Sequence, residues 1–219
     1  MMLTLLLMRH AESIGNQQLR MQGHSPYALS ERGHQQAQCL GQRLAREFQF
    51  PTQLCSSPLV RSQQTTEIIL KYQSSLVSPC YDLDLAEGKQ GIFTGLTWAE
   101  ACQHYPHLCQ QLETTPDWIP IPGAESPQAL RQRAQRWMAR VLNQEQERIW
   151  VVTHEWILYH LVSVLLGSDR TWQFPVHHTA LFEFSCDMDR WRQTAPNTRF
   201  NSTLWQIHRF NDTNHLNFG

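Results

Sequence analysis

Short apolar runs alternate with longer amphipathic stretches along this chain. The first run, from Leu3 to Met8, is uninterrupted, which is typical of a strand that is buried on both faces of a parallel sheet. Two further runs, Gln53 to Ser56 and Ile149 to Thr153, predict strands that are each followed by a helical pattern. Because strands and helices alternate, the α/β class is favoured. We expect a three-layer α/β/α sandwich around a mostly parallel central sheet.

The predicted helices each carry a periodic apolar face. We expect them at Gly33 to Phe48, Ser57 to about Leu70, Ser126 to about Asn143 and His154 to Leu166. Two of them begin with a Ser-Pro pair, Ser57-Pro58 and Ser126-Pro127, in which the serine is expected to cap the helix and the proline to occupy its first position. Late in the chain, Ala180 to Ser185 and Thr203 to Phe210 predict two edge strands that form a hairpin.

One segment, from about 89 to 123, fits this alternation less well. It is rich in aromatic residues and prolines, among them Trp98, Tyr105 and Pro120. We interpret it as an insertion that lies over the edge of the sheet and forms a candidate substrate lid. The chain shows no internal repeat and no low-complexity segment, so residues 1–219 are predicted to form a single domain.

The composition disfavours several classes of protein. The 219 residues are 41% hydrophobic and 17% charged, which is an ordinary globular balance. The net charge of -1 provides no basic field for nucleic acid or an anionic membrane. No stretch approaches the roughly 20 apolar residues that a membrane helix needs. The six cysteines form no C-x-x-C pair and are expected to be reduced thiols, which predicts a cytoplasmic location.

Three of the predicted strands deliver basic side chains to one edge of the sheet. The first strand ends in Arg9-His10, the second leads into a helix with Arg61, and the third is followed by His154. The carboxyl ends of parallel strands meet at one edge, which is where ligands of open α/β sheets bind. Two arginines, two histidines and the nearby helix amino termini together indicate a pocket for a phosphate group.

A series of short motifs surrounds these residues. It begins with Arg9-His10-Ala11-Glu12-Ser13 followed by Asn16, which is similar to the signature R-H-G-[EQ]-[ST]-x-x-N. Further motifs follow in order: Arg20-Met21-Gln22-Gly23, Leu29-Ser30-x-x-Gly33, Ser56-Ser57-Pro58-Leu59-x-Arg61-x-x-x-Thr65, Leu85-x-Glu87, Gly91-x-x-x-Gly95, Pro122-Gly123-x-Glu125-Ser126 and Val151-Val152-Thr153-His154. Together they resemble the histidine phosphatase superfamily, also called the phosphoglycerate mutase-like family, over about residues 3 to 167.

The resemblance implies a phosphomonoester hydrolase of the histidine acid type that works through a phosphohistidine. His10 would attack phosphorus, while Arg9, Arg61 and His154 would hold the phosphoryl oxygens. Glu87 would protonate the leaving oxygen and later activate water. Because the arginines supply the positive charge, the resemblance implies neither a metal nor an organic cofactor.

The resemblance also implies how the substrate is held and which partners to expect. Substrate-binding roles fall on Asn16, Gln22 and Gly23, and Glu12 would only shape its loop. The acid is less firmly assigned, since the sequence offers Asp82, Asp84 and Glu100 beside Glu87. The expected partners are a small phosphorylated substrate and a second copy of the chain in a homodimer. Neither nucleic acid nor a membrane is expected.

Several positions depart from the family pattern. Ala11 stands where the family has glycine, which is harmless if its φ angle is negative. Glu155 replaces the glycine after the second histidine, and we expect its carboxylate to point away, because it would otherwise repel the substrate. His24 and Ser25 stand where an aspartate is common. These differences leave the catalytic set intact and concern the identity of the substrate.

Two other kinds of hydrolase site remain open. The stretch from Cys55 to Arg61 has the C-x5-R spacing of cysteine-dependent phosphatases, although Pro58 removes one backbone amide from that loop. The pair His154-Glu155 begins an H-E-x-x-H metal motif, but Leu158 stands at the second ligand position.

Two further functions share the same pocket. A catalytically inactive binding domain would lack one of the charged pocket residues, and all of them are present. A phosphoglycerate mutase would bind a doubly charged substrate, whereas Lys89 is the only lysine or arginine from 89 to 123. This difference favours a phosphatase.

Overall fold

A computed structural model of the protein describes residues 1–47, 50–74, 77–168, 174–192 and 204–216. Among these residues a six-stranded sheet is formed by β1 (Met2–Arg9), β2 (Gln53–Ser56), β3 (Cys80–Tyr81), β4 (Arg148–Thr153), β5 (Leu181–Asp187) and β6 (Trp205–Asp212). The strand order is β3-β2-β4-β1-β5-β6. Strands β1 to β4 are parallel, and β5 lies antiparallel between β1 and β6. The predicted mostly parallel sheet is confirmed.

Helices cover both faces of this sheet. They are α1 (Ile14–Gln17), α2 (Glu31–Arg46), α3 (Val60–Leu70), α4 (Trp98–His104), α5 (Pro106–Thr114), α6 (Pro127–Leu142), α7 (Glu155–Leu165) and α8 (Met188–Trp191). Short 3-10 helices lie at Leu83–Leu85, Gly91–Phe93 and Asn214–Leu216. Helices α2 and α3 pack on one face, and α6 and α7 pack on the other, so the three-layer sandwich is confirmed. None of the helices in the described ranges combines the length and apolar character needed to cross a bilayer.

The first strand shows why its sequence is apolar throughout. Successive side chains of a strand point to opposite faces. Leu5 and Leu7 therefore join the hydrophobic cluster under α6 and α7, while Leu6 and Met8 join the cluster under α2 and α3. All four are at most 1% exposed. Burying each contributes about 1.5–3 kcal/mol, which fixes the strand that carries the site.

Serine caps set the starts of α6 and α2. Ser126 accepts a hydrogen bond from the amide of Ala129 and Pro127 opens α6, as predicted. Helix α2 begins two residues earlier than predicted, because Ser30 caps it through the amide of Gly33. The predicted end of that helix, Phe48, lies outside the described residues.

The other Ser-Pro prediction is wrong. Helix α3 begins at Val60, and the residue at its N-cap, Leu59, offers no capping side chain. The hydroxyl of Ser57 instead lies 2.7 Å from Nε2 of His154. Ser57 therefore contacts one of the basic residues at the edge of the sheet and does not cap a helix.

The prediction of two late edge strands is half wrong. β5 is an internal strand, because it pairs with β1 on one side and with β6 on the other. Only β6 lies at an edge. The two strands are antiparallel neighbours, but α8 intervenes between them, so they are not a tight hairpin. The predicted start of the second, Thr203, lies outside the described residues.

The segment between β3 and α6 has a hydrophobic cluster of its own. Phe93, Ala101 and Cys109 are its buried centre, and Met21 packs against it from the loop after α1. Cys102 of α4 and Leu108 and Leu112 of α5 also pack against this centre. An isolated bridge between Arg20 and Thr97 joins the segment to that loop. Its role as a substrate lid stays a prediction.

Gly33 marks a close approach between α2 and the loop after β1. A Cβ atom at this position would lie 1.9 Å from the backbone oxygen of Glu12, which cannot rotate away. We predict that Gly33→Ala lowers the free energy of unfolding by about 2 kcal/mol or more, because overpacking outweighs the gain in helix propensity. Gly41→Ala is the matched control, since its Cβ would mainly meet the ring of Tyr72, at 2.6 Å. Urea unfolding compares the two, and equal midpoints would contradict the prediction.

Candidate active site

The register of β1 and β4 places two histidines side by side. Arg9 pairs with Thr153, and the amide of His10 donates to the carbonyl of Thr153 over 2.9 Å. The ring centroids of His10 and His154, which follow the two strands, are therefore only 4.9 Å apart. Burial, and then the charge of Arg61, lower the pKa of both imidazoles well below the usual value. Both rings are neutral at pH 7.

The backbone sets the tautomer of His10. Its Nδ1 lies 2.7 Å from the carbonyl oxygen of Ala11, which can only accept, so Nδ1 carries the proton. Nε2 then holds a lone pair, and Nε of Arg61 donates to it over 3.2 Å. Ala11 does not have a positive φ, so the alanine is harmless there, as expected. The lone pair on Nε2 makes His10 a competent nucleophile.

Arg61 is a cation enclosed by neutral partners. Arg61 is only 1% exposed to solvent. Nη2 donates to the carbonyl of Gly23 over 2.9 Å, and Nη1 donates to the carbonyl of Ser25 over 3.3 Å. Desolvation lowers the pKa of Arg61 to about 10, so it stays charged at pH 7. A buried cation with neutral hydrogen-bond partners favours an anion beside it.

Two buried nitrogen atoms without a partner also favour an anion at this place. Nε2 of His154 lies 2.7 Å from Oγ of Ser57 and 3.2 Å from Oγ of Ser62. When Nε2 accepts a hydrogen bond from one of these hydroxyls, the proton of the neutral ring is on Nδ1. That Nδ1 and Nε of Arg9 are buried and have no hydrogen-bond partner in the part of the chain that the structure describes. A buried unmet donor costs about 1–3 kcal/mol. Phosphoryl oxygens would satisfy both.

Glu87 lies in the loop that leads into the candidate lid. Its Oε1 accepts from the amide of Gly88 over 2.9 Å, and its Oε2 lies 3.4 Å from the amide of Trp156 in the first turn of α7. Desolvation raises the pKa of the Glu87 carboxyl above its usual value, although the Gly88 amide and Arg61 oppose the shift. A carboxyl that keeps its proton to higher pH suits a general acid.

The alternative acids are engaged elsewhere. Asp84 pairs with Arg136 and Arg140, each over 2.8 Å, and hydrogen bonds from these arginines lower its pKa against the effect of desolvation. Asp82 pairs with Arg140 over 2.6 Å. Glu100 caps α4, and the Thr97 amide is the main cause of its lowered pKa. All three carboxylates are held by other partners, which favours Glu87 as the acid.

Asn16 and Gln22 meet at one hydroxyl. Oγ of Ser13 lies 2.8 Å from Oδ1 of Asn16 and 2.7 Å from Oε1 of Gln22. Asn16 also completes the capping box of α1. Glu12 contacts the hydroxyl of Ser30 over 2.7 Å, as expected of a residue that shapes the loop. Substrate contacts of Asn16, Gln22 and Gly23 stay predictions.

The expectation that Glu155 points away from the site is wrong. Its Oε2 lies 2.9 Å from Nη1 of Arg9, so the carboxylate pairs with one of the two arginines assigned to the phosphate. Repulsion of an anion was the reason for the expectation. The structure instead compensates the carboxylate with a cation that was already in place.

Sequence reasoning missed Arg133, which holds the loop from Asp84 to Glu87, here called the acid loop because it carries the candidate acid. Its Nη1 donates to the carbonyls of Ala86 over 2.7 Å and Asp84 over 3.0 Å. Its Nε and Nη2 pair with the two oxygens of Glu125 over 2.6 and 2.7 Å. A contact between a helix arginine and distant loop carbonyls leaves no local sequence pattern. The loop that carries Glu87 is therefore braced from α6.

A third histidine lies near the first two. The ring centroid of His178 is 6.0 Å from that of His10, and burial lowers the pKa of His178 to about 3. No motif in the sequence singles out this histidine. The next residue, Thr179, has φ +58, and its amide donates to the carbonyl of Arg9 over 3.1 Å. The start of β5 is thus bound to the end of β1.

The structure disfavours both other hydrolase sites. Cys55 is 3% exposed, and burial raises the pKa of its thiol to about 12, so a thiolate is strongly disfavoured. All six cysteines lie in the described ranges and are free. Within those ranges there is no group of three or more histidine, cysteine, aspartate or glutamate side chains arranged to hold a metal ion.

Comparison with known sequences identifies relatives of the chain. The sequence model of the histidine phosphatase superfamily (branch 1) matches residues 5–199. Phosphoglycerate mutase-like protein 4 of Arabidopsis thaliana is 30% identical over 190 residues, which cover 85% of this chain and 81% of that protein. Phosphoserine phosphatase 1 of Hydrogenobacter thermophilus (strain DSM 6534 / IAM 12695 / TK-6) is 30% identical over 176 residues, which cover 79% and 82%.

Solved structures share the fold. The crystal structure of the alpha-ribazole phosphatase from Shigella flexneri matches with a TM-score of 0.77 and 23% sequence identity. The match covers 96% of this chain and 97% of that chain. At this identity the likeness establishes the fold alone.

Alkylation separates a histidine nucleophile from a cysteine nucleophile. We predict that iodoacetamide at neutral pH leaves Cys55 unmodified in the native protein, because the raised pKa and burial remove the reactive thiolate. Cys80, which is exposed on the neighbouring strand, is the internal control and should be labelled. Mass spectrometry of the peptides measures both. Modification of Cys55 with parallel loss of aryl phosphate hydrolysis would restore the cysteine-dependent mechanism.

Proposed function

The chain belongs to the histidine phosphatase superfamily (branch 1), and we propose that it is a phosphatase that hydrolyses a small phosphomonoester through a phosphohistidine on His10. One observation supports this most: Nε2 of His10 holds a lone pair next to the charged Arg61. The nucleophile and the group that neutralises phosphoryl charge are thus already in contact. Arg9 and His154 offer two further unmet nitrogen atoms beside them.

In the first step, Nε2 of His10 attacks phosphorus and a P–N bond forms. The ester P–O bond breaks, and Glu87 gives its proton to the leaving oxygen, so an alcohol departs. Arg61, Arg9 and His154 donate to the three peripheral oxygens, and the two arginines neutralise their charge. Arg61 releases the Nε2 lone pair of His10 when it turns its Nε–H towards the phosphoryl group.

In the second step, water attacks the phosphohistidine. Glu87, now a carboxylate, takes a proton from this water while the P–N bond breaks, and inorganic phosphate and neutral His10 result. The enzyme returns to its starting protonation state. The same cations serve both steps, so the proposal includes no metal and no organic cofactor.

Mutase-type phosphoryl transfer is the second candidate, supported by similarity to Phosphoglycerate mutase-like protein 4. It would require the phosphohistidine to pass its phosphoryl group to a second hydroxyl rather than to water. A cavity of about 390 Å³ lies beside the acid loop and is lined by His24, Ser25, Lys89, Gly91, Thr94 and Gly123. With Lys89 as its one lysine or arginine, it is a poor match for a doubly charged acid. Hydrolysis of a small polar phosphomonoester is the better fit.

An acidic working range is the finer part of the proposal. The lowered pKa of His10 keeps the nucleophile neutral well below pH 6.5. The raised pKa of Glu87 keeps the acid protonated above the range of an ordinary carboxyl. Phosphorylation is therefore favoured where His10 is neutral and Glu87 still holds its proton, and it weakens as pH rises through the pKa of Glu87. Membership of branch 1 does not by itself make the protein an acid phosphatase, so this rests on the two pKa directions.

The setting of the enzyme is part of the same proposal. We propose a cytoplasmic enzyme that meets its substrate as a free small molecule, without nucleic acid or membrane. The free cysteines agree with a reducing compartment. A homodimer is the proposed assembly, which light scattering on the purified chain tests.

Replacement of the nucleophile tests the proposed function. We predict that His10→Ala abolishes turnover of an aryl phosphate, because the variant lacks the nitrogen that forms the bond to phosphorus. Rapid quench of the wild type should trap a phosphoenzyme that is labile to acid and stable to base, and EDTA should leave turnover unchanged. His34→Ala, on α2, is the matched control. More than a few per cent of wild-type kcat in His10→Ala would overturn the proposal.

The leaving group tests the role of Glu87. An acid helps most when the leaving oxygen is a poor leaving group. We predict that Glu87→Gln slows phosphorylation by an alkyl phosphate by roughly 10²–10⁴-fold, and by a nitrophenyl phosphate much less. The wild-type kcat/KM for the alkyl ester should fall as pH rises through the raised pKa of Glu87, and the variant should lose that limb. Equal small losses for both substrates in pre-steady-state measurements would show that Glu87 is not the acid.

A further inference from the structure

An ion pair at the proposed phosphate site has no part in the steps above. Oε2 of Glu155 lies 2.9 Å from Nη1 of Arg9, and the two side chains are 32% and 13% exposed. Glu155 is the first residue of α7 and directly follows His154. A carboxylate this close to Arg9 affects both the orientation of its guanidinium and its attraction for phosphate.

The contacts of Arg9 divide its guanidinium into two parts. Nη1 is taken by Glu155 and by the carbonyl oxygen of Val176. Nε is buried and has no partner among the described residues. Nε and Nη2 form the side-on edge of the guanidinium, which is the edge that binds two oxygens of one phosphate in a bidentate manner. The two acceptors at Nη1 thus leave this edge available.

A second residue fixes the carboxylate in turn. The hydroxyl of Tyr159, one helical turn after Glu155, donates to its Oε1 over 2.9 Å. The ring of Tyr159 packs edge-on against Phe174 with centroids 5.0 Å apart. The result is a chain of contacts from a packed aromatic ring through Glu155 to Arg9.

We propose that Glu155 is a positioning residue, which holds Nη1 of Arg9 so that the Nε–Nη2 edge faces the phosphoryl group. This inference rests on the proposed function, in which Arg9 binds the phosphate. The carboxylate orients the guanidinium of Arg9 but weakens the attraction of the pocket for an anion, because it offsets one of the positive charges. Glu155 therefore favours turnover and weakens the binding of a simple anion.

Three variants separate orientation from charge. Glu155→Gln keeps an acceptor for Arg9 and removes the charge. We expect it to bind inorganic phosphate about three- to tenfold more tightly, the modest size reflecting a partly exposed charge, with kcat within about threefold of the wild type. Tyr159→Phe keeps the charge and the ring but frees the carboxylate. It should lower kcat roughly two- to fivefold without tightening phosphate binding. Glu155→Ala should lower kcat about tenfold, since misplacement of a positioned group is costly.

Calorimetry with inorganic phosphate and steady-state kinetics with an aryl phosphate are the measurements. Glu145→Gln is the control for charge alone, because this exposed glutamate precedes β4, at the opposite end of the strand from His154. Wild-type phosphate affinity in Glu155→Gln, or wild-type kcat in both Tyr159→Phe and Glu155→Ala, would overturn the proposal. Phosphate binding needs no turnover. If the wild type hydrolysed no phosphomonoester, the proposed function would fail while the binding data still decided whether the charge of Glu155 acts on the pocket.

Discussion

The buried guanidinium of Arg61 is the constraint from which the site is built. A cation with so little contact with water must be surrounded by acceptors, and this chain provides the carbonyls of Gly23 and Ser25 and the ring of His10. Those partners come from two loops, so the loop before α2 and the end of β1 are held in place by one side chain. The hydrogen-bond acceptors are neutral, and Glu87 acts on the cation only through its charge, so an anion beside Arg61 is favoured. Burial thus gives the pocket both its shape and its preference for anions.

Division of labour between charged and neutral groups follows from this. Arg61 stays protonated, while desolvation keeps His10 and His154 neutral and therefore able to present one lone pair and one unmet donor. The same desolvation acts in the opposite sense on Glu87 and favours its proton. One physical cause, removal from water, prepares an electrostatic clamp, a nucleophile and an acid within one recess.

Much of this arrangement is legible in the sequence, because it depends on local periodicity and on parallel strands. The apolar run before Arg9 and the strand before His154 predict a common edge, and the register confirms that neighbourhood. Side-chain destinations are less predictable. Ser57 has the local pattern of a helix cap but contacts His154, and Glu155 reaches Arg9 although repulsion predicted otherwise. Arg133 and His178 act across the fold, through contacts that leave no spacing rule in the chain.

The separate hydrophobic cluster centred on Phe93, Ala101 and Cys109 has an evolutionary consequence. Because these side chains form a cluster distinct from those on the two faces of the sheet, substitutions within α4 and α5 do not alter the packing beneath His10. Met21 is the exception, because it joins this cluster to the loop whose Gly23 carbonyl binds Arg61. The segment can therefore diverge in sequence among descendants of this chain, provided that the contact with Met21 is kept.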